Sequence, residues 1–240
     1  MKILLLGYGR MGRMIEECAE DAGMSVALTV DEGQFAGLKN LGKVADVAID
    51  FSSPAVLPEI AEYIERTATP LVSGTTGYSA QEILTLQALG EKVPVLSSAN
   101  FSLGIVVLAK ALKLVSGCLP GFDIELIETH HNQKSDAPSG TAKRLLDAID
   151  PEGKRPLVYG REGRTAKREP GEIGVHAVRG GTVAGEHSVM FFGADESLEF
   201  THKATSRRIF AEGAINAAKI LPSQKAGYYS LEELIFGKDD

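Results

Sequence analysis

A glycine-rich turn near the N-terminus constrains the fold of this chain more than any other sequence feature. The turn Gly7-Tyr8-Gly9-Arg10-Met11-Gly12 lies between a short apolar run, Lys2 to Leu6, and helical spacing from Arg10 to Ala22. In GxGxxG the first glycine permits a tight turn, the second lets a pyrophosphate approach, and the third lets helix and strand pack closely. All six residues are therefore predicted to contact a dinucleotide. The alternative is a tight turn without a ligand.

Apolar strands alternate with helical segments through the first part of the chain. After the N-terminal strand, four more are predicted, at Ser25 to Val30, Ala45 to Phe51, Pro70 to Ser73 and Pro94 to Ser98. Strands that alternate with helices at this pace favour a parallel sheet with right-handed crossover connections. The predicted class is therefore α/β, with a Rossmann-type doubly wound parallel sheet.

The pattern changes after residue 101. One apolar helix, Ser102 to Val115, precedes segments that are richer in β-branched residues and more closely spaced, and a helix from Gly140 to Ala148 interrupts them. These features indicate a second α+β domain on a mixed or antiparallel sheet. Helices are predicted again at Ser206 to Ile220 and Tyr229 to Phe236. The predicted domains are 1–101 with 208–240, and 102–207.

Cofactor contacts are also predicted where the parallel strands end. Asp31 follows the second strand, about 20 residues beyond the glycine turn, where an acidic side chain commonly binds the adenosine ribose hydroxyls. Residues 32–34 add no positive charge for a 2′-phosphate, which favours NADH over NADPH, with a reach of Arg10 or Lys39 to that phosphate as the alternative. The loops Gly74-Thr75-Thr76-Gly77 and Ser98-Ala99-Asn100-Phe101 are predicted to line the nicotinamide ribose and ring. A solvated turn and plain connecting loops are the alternatives.

Composition argues against several classes of function. The 25 basic and 32 acidic residues give a net charge of -7, the wrong sign for binding the phosphate backbone of nucleic acid. No apolar run reaches the ~18 residues of a membrane helix, so we expect a soluble, cytoplasmic protein without nucleic-acid or membrane partners. Cys18 and Cys118 lie in apolar settings without CxxC spacing, so both are expected to be buried thiols, with no metal site.

The densest polar segment runs from Glu128 to Lys143. Ser139 is a typical N-cap for the helix that follows, and the backbone amides of Gly140 and Thr141 would face an anion at its N-terminus. Three upstream side chains that can carry positive charge are His130, His131 and Lys134. The segment therefore suits a small carboxylate ligand, although an exposed polar loop with a helix cap is the alternative. A second polar loop, Arg179 to His187, is interpreted as a hairpin or a subunit contact.

Segments along nearly the whole chain resemble, in order, the 4-hydroxy-tetrahydrodipicolinate reductase family, formerly dihydrodipicolinate reductase. They are GYGRMG, GTTG, SANFSLG, ELIETHHNQKSDAPSGTA, IGVHAVRGGTVAGEH and FTHKATSRRIFAEGA. Many members read GxGGRMG where this chain has the shorter GYGRMG. The resemblance implies an NAD(P)H-dependent reductase of diaminopimelate and lysine biosynthesis. Its substrate would be (2S,4S)-4-hydroxy-2,3,4,5-tetrahydrodipicolinate, a cyclic imine with two carboxylates, which is reduced to tetrahydrodipicolinate with loss of water.

The same resemblance implies roles for single residues. His130 would be the catalytic acid–base histidine and Lys134 the catalytic proton donor, while His131, Gly140 and Thr141 would hold the substrate carboxylates. The first domain, completed by the C-terminal helices, would bind NADH or NADPH. The second domain would bind the substrate and assemble a homotetramer through its sheet.

Two other functions are compatible with the predicted fold. A non-catalytic NADH-sensing Rossmann protein would not need His130, Lys134 and a helix-end anion site together. An aspartate-semialdehyde-type dehydrogenase would need a cysteine nucleophile in its substrate domain. Cys118, between Gly117 and Leu119, is poorly suited to that role.

Overall fold

A computed structural model of the chain describes residues 1–164 and 166–237. The chain divides into two compact units, one formed by residues 1–102 with the segment from 208 onward, the other by residues 103–207. Each unit has its own sheet and its own buried apolar cluster. In the part of the chain that the structure describes, no helix is both long enough and apolar enough to cross a membrane.

The first unit is built on a six-stranded parallel sheet. Its strands are β1 (Lys2–Leu6), β2 (Ser25–Val30), β3 (Val47–Asp50), β4 (Leu71–Ser73), β5 (Pro94–Ser97) and, from the C-terminal segment, β11 (Gly227–Tyr229). The spatial order is β11-β5-β4-β3-β1-β2, and every neighbouring pair is parallel. The carboxyl ends of these strands therefore share one edge of the sheet, where doubly wound folds bind ligands.

Helices cover both faces of this sheet. They are α1 (Arg10–Asp21), α2 (Leu57–Thr67), α3 (Ala80–Gly90), α6 (Arg208–Ile220) and α7 (Leu231–Phe236), with short 3-10 helices at Phe35–Asn40, Pro54–Val56 and Leu221–Ser223. Leu4 and Leu6 belong to the apolar cluster that includes α2 and α3. Ile3 and Leu5 alternate to the other face and are equally buried. Burial on both faces explains why β1 is a continuous apolar run instead of an alternating one.

The second unit is built on a five-stranded mixed sheet. Its strands are β6 (Asp123–His130), β7 (Leu157–Val158), β8 (Ile173–Arg179), β9 (Gly185–Phe192) and β10 (Ser197–Ala204), and its helices are α4 (Leu103–Cys118) and α5 (Gly140–Ile149). The order is β10-β9-β6-β8-β7, with β6 and β7 parallel to β8, and β9 antiparallel to β6 and β10. Both helices pack on one face of this sheet. Even-numbered residues of β6, from Ile124 to His130, point to that face and are buried.

The predicted fold class is confirmed, and two local expectations are corrected. The sequence allowed a mixed or an antiparallel sheet in the second unit, and the sheet is mixed. The segment from Tyr229 is not one helix, because Gly227–Tyr229 pairs with β5 and α7 begins at Leu231 behind a Ser230–Glu233 capping box. Cys118 is exposed at the end of α4, whereas Cys18 is buried and its burial raises the pKa of its thiol.

Close backbone packing at one glycine of α6 predicts a stability effect. A β-carbon at Gly213 would lie 1.8 Å from the carbonyl oxygen of Phe101, and a backbone atom cannot easily move away. We therefore expect Gly213→Ala to lower the free energy of unfolding by about 1–3 kcal/mol, although alanine is the better helix former. Urea unfolding followed by circular dichroism measures the change.

The matched control is Gly117→Ala in α4, where nothing lies within 4 Å of the added β-carbon. This second substitution should be neutral or stabilise the protein by up to about 1 kcal/mol. Equal effects of the two substitutions would contradict the packing argument.

Candidate active site

The centre of the polar segment is an acid–histidine pair at the end of β6. His130 is the last residue of the strand, and Glu128 lies two residues earlier, so both side chains point to the helix-covered face. Glu128 is completely buried and His130 is 8% exposed. The Nδ1 atom of His130 is hydrogen-bonded to Oε2 of Glu128. The imidazole is therefore held by a carboxylate that solvent does not reach.

The Glu128 carboxylate also binds two groups from other elements. Arg179, at the end of β8, donates from Nη2 to Oε1 at 2.7 Å and from Nη1 to Oε2 at 3.0 Å. The backbone amide of Ser139 donates to Oε1 at 3.2 Å. Burial by itself would raise the pKa of Glu128, but the hydrogen bonds from Arg179 and His130 outweigh it, and the pKa is lowered. Glu128 is therefore ionised at neutral pH.

A second histidine closes the other side of the pair. His187, on β9, is 3% exposed, and its ring meets the His130 ring edge-on with centroids 5.1 Å apart. Its Nε2 lies 3.1 Å from Oγ of Ser139. Burial is the main cause that lowers the pKa of His187 to about 4, and the positive charge of protonated His130 is the next largest. His187 is therefore neutral at physiological pH, and its buried ring packs against His130 without adding charge.

The two proposed proton-transfer groups differ in their surroundings. Burial lowers the pKa of His130, the positive charges of Lys134 and Arg179 lower it further, and the hydrogen bond to Glu128 opposes them without prevailing. His130 is therefore largely neutral near pH 7. The Lys134 ammonium lies 2.7 Å from Oδ1 of Asp136, and hydrogen bonding to Lys134 lowers the pKa of Asp136. The structure thus places an ammonium group near a neutral imidazole.

The anion site that the sequence predicts would lie at the N-terminus of α5. Ser139 is the N-cap, and its Oγ accepts a hydrogen bond from the amide of Ala142 at 3.1 Å. Gly140 is the first helical residue and is exposed, and nothing lies within 4 Å of where its β-carbon would be. Thr141 follows and is partly buried. Space in front of the positive end of a helix is suited to a carboxylate.

His131 lies just beyond β6 and is partly exposed. Its backbone amide donates to the carbonyl of Val183 at 2.8 Å, which joins the two polar segments of this unit. The two end residues of the loop from Arg179 to His187 also belong to this site. Arg179 binds Glu128, and the ring of His187 packs against that of His130. The sequence interpretation of this loop as a hairpin or a subunit contact overlooked that role.

The glycine turn of the first unit combines two glycines in close contact with backbone and one glycine beside open space. Gly7 has φ +90°, and a β-carbon there would lie 2.5 Å from the carbonyl oxygen of Phe51. A β-carbon at Gly12 would lie 2.2 Å from the carbonyl oxygen of Gly7. Gly9, by contrast, has open space where a side chain would be, and it caps α1 without a side-chain hydrogen bond. The backbone there fits a phosphate group.

Asp31 lies beside this turn, at the end of β2. Its Oδ1 accepts a hydrogen bond from the amide of Tyr8 at 3.0 Å, so the carboxylate is tied to the glycine turn. Its own amide donates to Oε1 of Gln34 at 3.0 Å. Arg10 and Met11 begin α1, with Arg10 exposed. Asp31 is therefore held next to the predicted diphosphate position.

Two further loops follow β4 and β5 at the same edge of the sheet. A β-carbon at Gly74 would lie 2.2 Å from the Phe51 ring, so a larger residue there would require the ring to move. Thr75 is buried, and its Oγ1 accepts from the amide of Ser52 at 2.9 Å, whereas Thr76 is exposed. A buried aspartate, Asp50, supports the first loop by accepting from Ser73 Oγ at 2.8 Å and Tyr78 OH at 3.0 Å. Sequence reasoning missed Asp50, because a lone acid at a strand end carries no local signal.

The second loop, residues 98–101, is held by its own side chains. Ser98 Oγ donates to the carbonyl of Asn100 at 2.7 Å, and Asn100 Oδ1 accepts from the amide of Ser102 at 2.8 Å. Ala99 is exposed. Phe101 is buried, and its ring centroid lies 5.6 Å from that of Phe51. Phe101 therefore anchors the end of the loop in the apolar interior.

One cluster of the described residues has the composition of a metal site. Ligand atoms of Glu128, His130 and His187 all lie within 4.8 Å of one another. Both oxygens of Glu128 are already engaged by Arg179, however, and a guanidinium beside the cluster repels a cation. The cluster is therefore better suited to proton transfer than to holding a metal ion.

Comparison with known proteins identifies the family. Residues 1–101 match the family described as "Dihydrodipicolinate reductase, N-terminus", and residues 104–235 match "Dihydrodipicolinate reductase, C-terminus". The chain is 42% identical to the 4-hydroxy-tetrahydrodipicolinate reductase of Exiguobacterium sibiricum, covering 100% of this chain and 98% of that one. It is 44% identical to the enzyme of the same name from Caldanaerobacter subterraneus subsp. tengcongensis, covering 95% and 94%.

Solved structures share the fold. A dipicolinate-bound dihydrodipicolinate reductase from Paenisporosarcina sp. TG-14 superposes with a TM-score of 0.77 at 21% identity, over 97% of this chain and 98% of that one. Aspartate semialdehyde dehydrogenase II of Vibrio cholerae superposes with a TM-score of 0.53 at 11% identity, over 92% and 97%. The fold alone thus extends to other oxidoreductases, whereas the two family matches together cover nearly all of the sequence. This chain belongs to the dihydrodipicolinate reductase family.

Proposed function

We propose that this protein catalyses the NAD(P)H-dependent reduction of 4-hydroxy-tetrahydrodipicolinate to tetrahydrodipicolinate, with loss of water, in diaminopimelate and lysine biosynthesis. The observation that carries the proposal is the juxtaposition in the second unit of His130, Lys134 and the open N-terminus of α5. A protein that only senses NADH has no use for this combination. Full-length identity of 42–44% to reductases of that name supports the same substrate.

The direct test is NADH oxidation, followed by absorbance, with substrate formed freshly from pyruvate and aspartate semialdehyde by the condensing synthase. Oxidation should require both precursors and the synthase. Absence of turnover with either NADH or NADPH would reject the proposed reaction.

The second unit binds the substrate through its carboxylates. The start of α5 at Gly140 and Thr141 holds one carboxylate, and His131 and Lys134 add hydrogen bonds from the preceding loop. These donors lie together in a protein whose net charge is -7, so the local field and not the overall charge attracts the dianion. A fixed carboxylate orients the ring for reaction.

Lys134 and His130 are the two residues that transfer protons in the proposed reaction. When bound, NAD(P)H would supply the hydride, and the Lys134 ammonium would donate the accompanying proton to the substrate ring after the 4-hydroxyl group has left as water. His130 serves as the acid–base group, because burial keeps its imidazole neutral near pH 7 and so able to exchange a proton. Glu128 keeps the ring in place while this happens.

The first unit binds the cofactor. The Gly7–Gly12 turn holds the diphosphate, and residues 74–76 and 98–101 line the nicotinamide side. Asp31 binds the adenosine ribose hydroxyls. Because residues 32–34 carry no positive charge, NADH is the better cofactor and NADPH the weaker one.

The protein assembles as a homotetramer through the sheet of the second unit. Apolar side chains are exposed on the face opposite α4 and α5, among them Ile127, Val178 and Phe192. Exposed apolar groups on a sheet face are typical of protein interfaces.

Replacing either proton-transfer residue should reduce turnover. We expect His130→Ala and Lys134→Ala each to lower kcat by roughly 10²- to 10⁴-fold, with the Kd for NADH nearly unchanged, because each removes a positioned acid–base group. Steady-state kinetics and fluorescence titration measure the two quantities. Lys154→Ala, which removes an exposed lysine of the same unit, is the control and should keep full activity. Full activity in a double variant of His130 and Lys134 would reject these roles.

Removing one amide from α5 should weaken binding of the carboxylate. Gly140→Pro places proline at the first helical position, where it is tolerated, and Ser139 already has the extended ψ of 159° that a following proline requires. We expect the inhibition constant of dipicolinate to rise about 10- to 100-fold, the value of a charge-assisted hydrogen bond.

The matched variant Gly140→Ala keeps the amide and should lose clearly less affinity for dipicolinate. Thr141→Val tests the adjacent hydroxyl in the same inhibition assay and should also weaken binding. Equal dipicolinate affinity in wild type and Gly140→Pro would place the anion site elsewhere.

Cofactor preference should depend on Asp31. Asp31→Asn keeps an oxygen that can accept from the Tyr8 amide but removes the charge that repels a 2′-phosphate. Combined with Glu32→Arg, it should shift kcat/KM toward NADPH, because a repulsion is replaced by a charge-assisted contact. The ratio of kcat/KM for the two cofactors is measured at fixed salt, with Glu32→Arg alone as the control. An unchanged ratio in the double variant would make Asp31 only a turn residue.

A further inference from the structure

The most completely buried charge in the second unit is a carboxylate that does not itself reach solvent or substrate. We propose that Glu128 is the positioning residue for His130: its carboxylate fixes the Nδ1–H tautomer, so that Nε2 is the atom that exchanges protons with the substrate. Arg179 holds the carboxylate in that orientation. The assignment of Nε2 rests on the proposed function, whereas the tautomer is a property of the free protein.

The hydrogen bonds of Glu128 determine which atom of His130 carries the proton. Four donor contacts converge on its two oxygens, from His130 Nδ1 and Arg179 Nη1 on Oε2 and from Arg179 Nη2 and Ser139 N on Oε1. An ionised carboxylate only accepts hydrogen bonds, so Nδ1 must be the donor. Since a neutral imidazole has one N–H group, Nε2 then carries a lone pair.

The surroundings of Nε2 leave it space. A β-carbon at Gly185 would lie 3.1 Å from Nε2 and 3.4 Å from Cδ2 of His130, so any side chain at this position would crowd the reacting atom. His187 flanks the ring on the β9 side but is engaged with Ser139. The glycine at 185 therefore keeps the lone pair of Nε2 accessible.

The same strand provides a matched control on its opposite face. Glu125 lies on β6, three residues before Glu128, and its carboxylate also binds an arginine and a histidine. It accepts from Arg168 Nη1 and contacts Nε2 of His176 at 2.7 Å. Glu125→Gln therefore disrupts an equivalent network without touching His130, and size-exclusion chromatography checks that assembly through this sheet face is unchanged.

Glu128→Gln should change the chemistry more than the binding. The glutamine side chain has the same shape, but its amide nitrogen replaces a carboxylate oxygen. That oxygen accepted hydrogen bonds, whereas an amide nitrogen can only donate them. We expect kcat to fall by roughly 10²-fold, the lower end for a positioned acid–base group, while the Kd for NADH stays unchanged. Glu128→Asp keeps the charge on a shorter side chain and should recover part of the lost kcat. Glu125→Gln should keep the wild-type kcat.

The pH dependence of kcat gives a readout that a purely structural role would not move. The charged and titratable groups around His130 are Glu128 on β6, Lys134 and Asp136 in the following loop, Arg179 on β8, His187 on β9 and His202 on β10. Of the three groups that act on the pKa of His130, Glu128 raises it, whereas Lys134 and Arg179 lower it. Removing the Glu128 charge should therefore lower the pKa of His130. The part of the kcat–pH profile that reflects His130 titration should then shift to lower pH. Glu128→Asp and Glu125→Gln should leave that part of the profile near its wild-type position.

The tautomer itself can be measured without substrate. Protein labelled with ¹⁵N-histidine has five imidazoles, and the His130→Gln variant identifies the signal of His130. At neutral pH the wild type should show a protonated Nδ1 and an unprotonated Nε2, and Glu128→Gln should show a substantial Nε2–H population. The Glu125→Gln spectrum should match the wild type at His130.

Two results would overturn the proposal. One is a wild-type His130 in the Nε2–H form, which decides the question even where Glu128→Gln does not fold. The other is a folded Glu128→Gln protein whose His130 tautomer and kcat–pH profile are both unchanged, since a loss of kcat would then reflect stability alone. If the wild type has the Nδ1–H tautomer but does not turn over the substrate, the proposed function fails and the tautomer assignment stands.

Discussion

The second unit depends on one buried carboxylate that joins three elements. Glu128 on β6 binds Arg179 on β8 and the Ser139 amide at the start of α5. A buried ion pair is weak evidence for stability, because the cost of desolvating both charges offsets their attraction. Its effect is to define one arrangement, because loss of the Arg179 charge would leave the fully buried Glu128 carboxylate without its cationic partner. The position of His130 relative to α5 is therefore set by electrostatics as much as by apolar packing.

In both units the proposed anion-binding groups are backbone amides at a helix N-terminus. In the first unit, Gly7 and Gly12 allow contacts that no side chain would permit, and Gly9 leaves open space before α1. In the second, Gly140 leaves comparable space before α5. Amides add no net charge, so an acidic protein can bind a diphosphate and a dicarboxylate without large basic patches. This explains how a chain with net charge -7 suits two anionic ligands.

The features predicted correctly from the sequence are those with a local signal. Strand and helix periodicity predicted the Rossmann sheet, the mixed second sheet was one of two stated alternatives, and the quoted motifs predicted the family. β11 was missed because its three residues form a strand only by pairing with β5, far away in the sequence. Arg179 was missed for the same reason, since its contact with Glu128 depends on the pairing of β8 with β6. Glu128 was missed although it carried a signal, because it lies two residues before His130 and residues i and i+2 of a strand share a face.

The two ion pairs of the second-unit site differ in how easily they can be exchanged. Lys134, whose side chain is 21% exposed, pairs with Asp136, whose side chain is 55% exposed, so water can take the place of Lys134 at the Asp136 carboxylate. Arg179 pairs with Glu128, which is fully buried, and separating them would leave an unpaired charge without solvent. A carboxylate ligand can therefore draw Lys134 away from Asp136 at small cost, but it cannot draw Arg179 away from Glu128. The lysine is free to follow the ligand, while the arginine keeps the histidine support fixed.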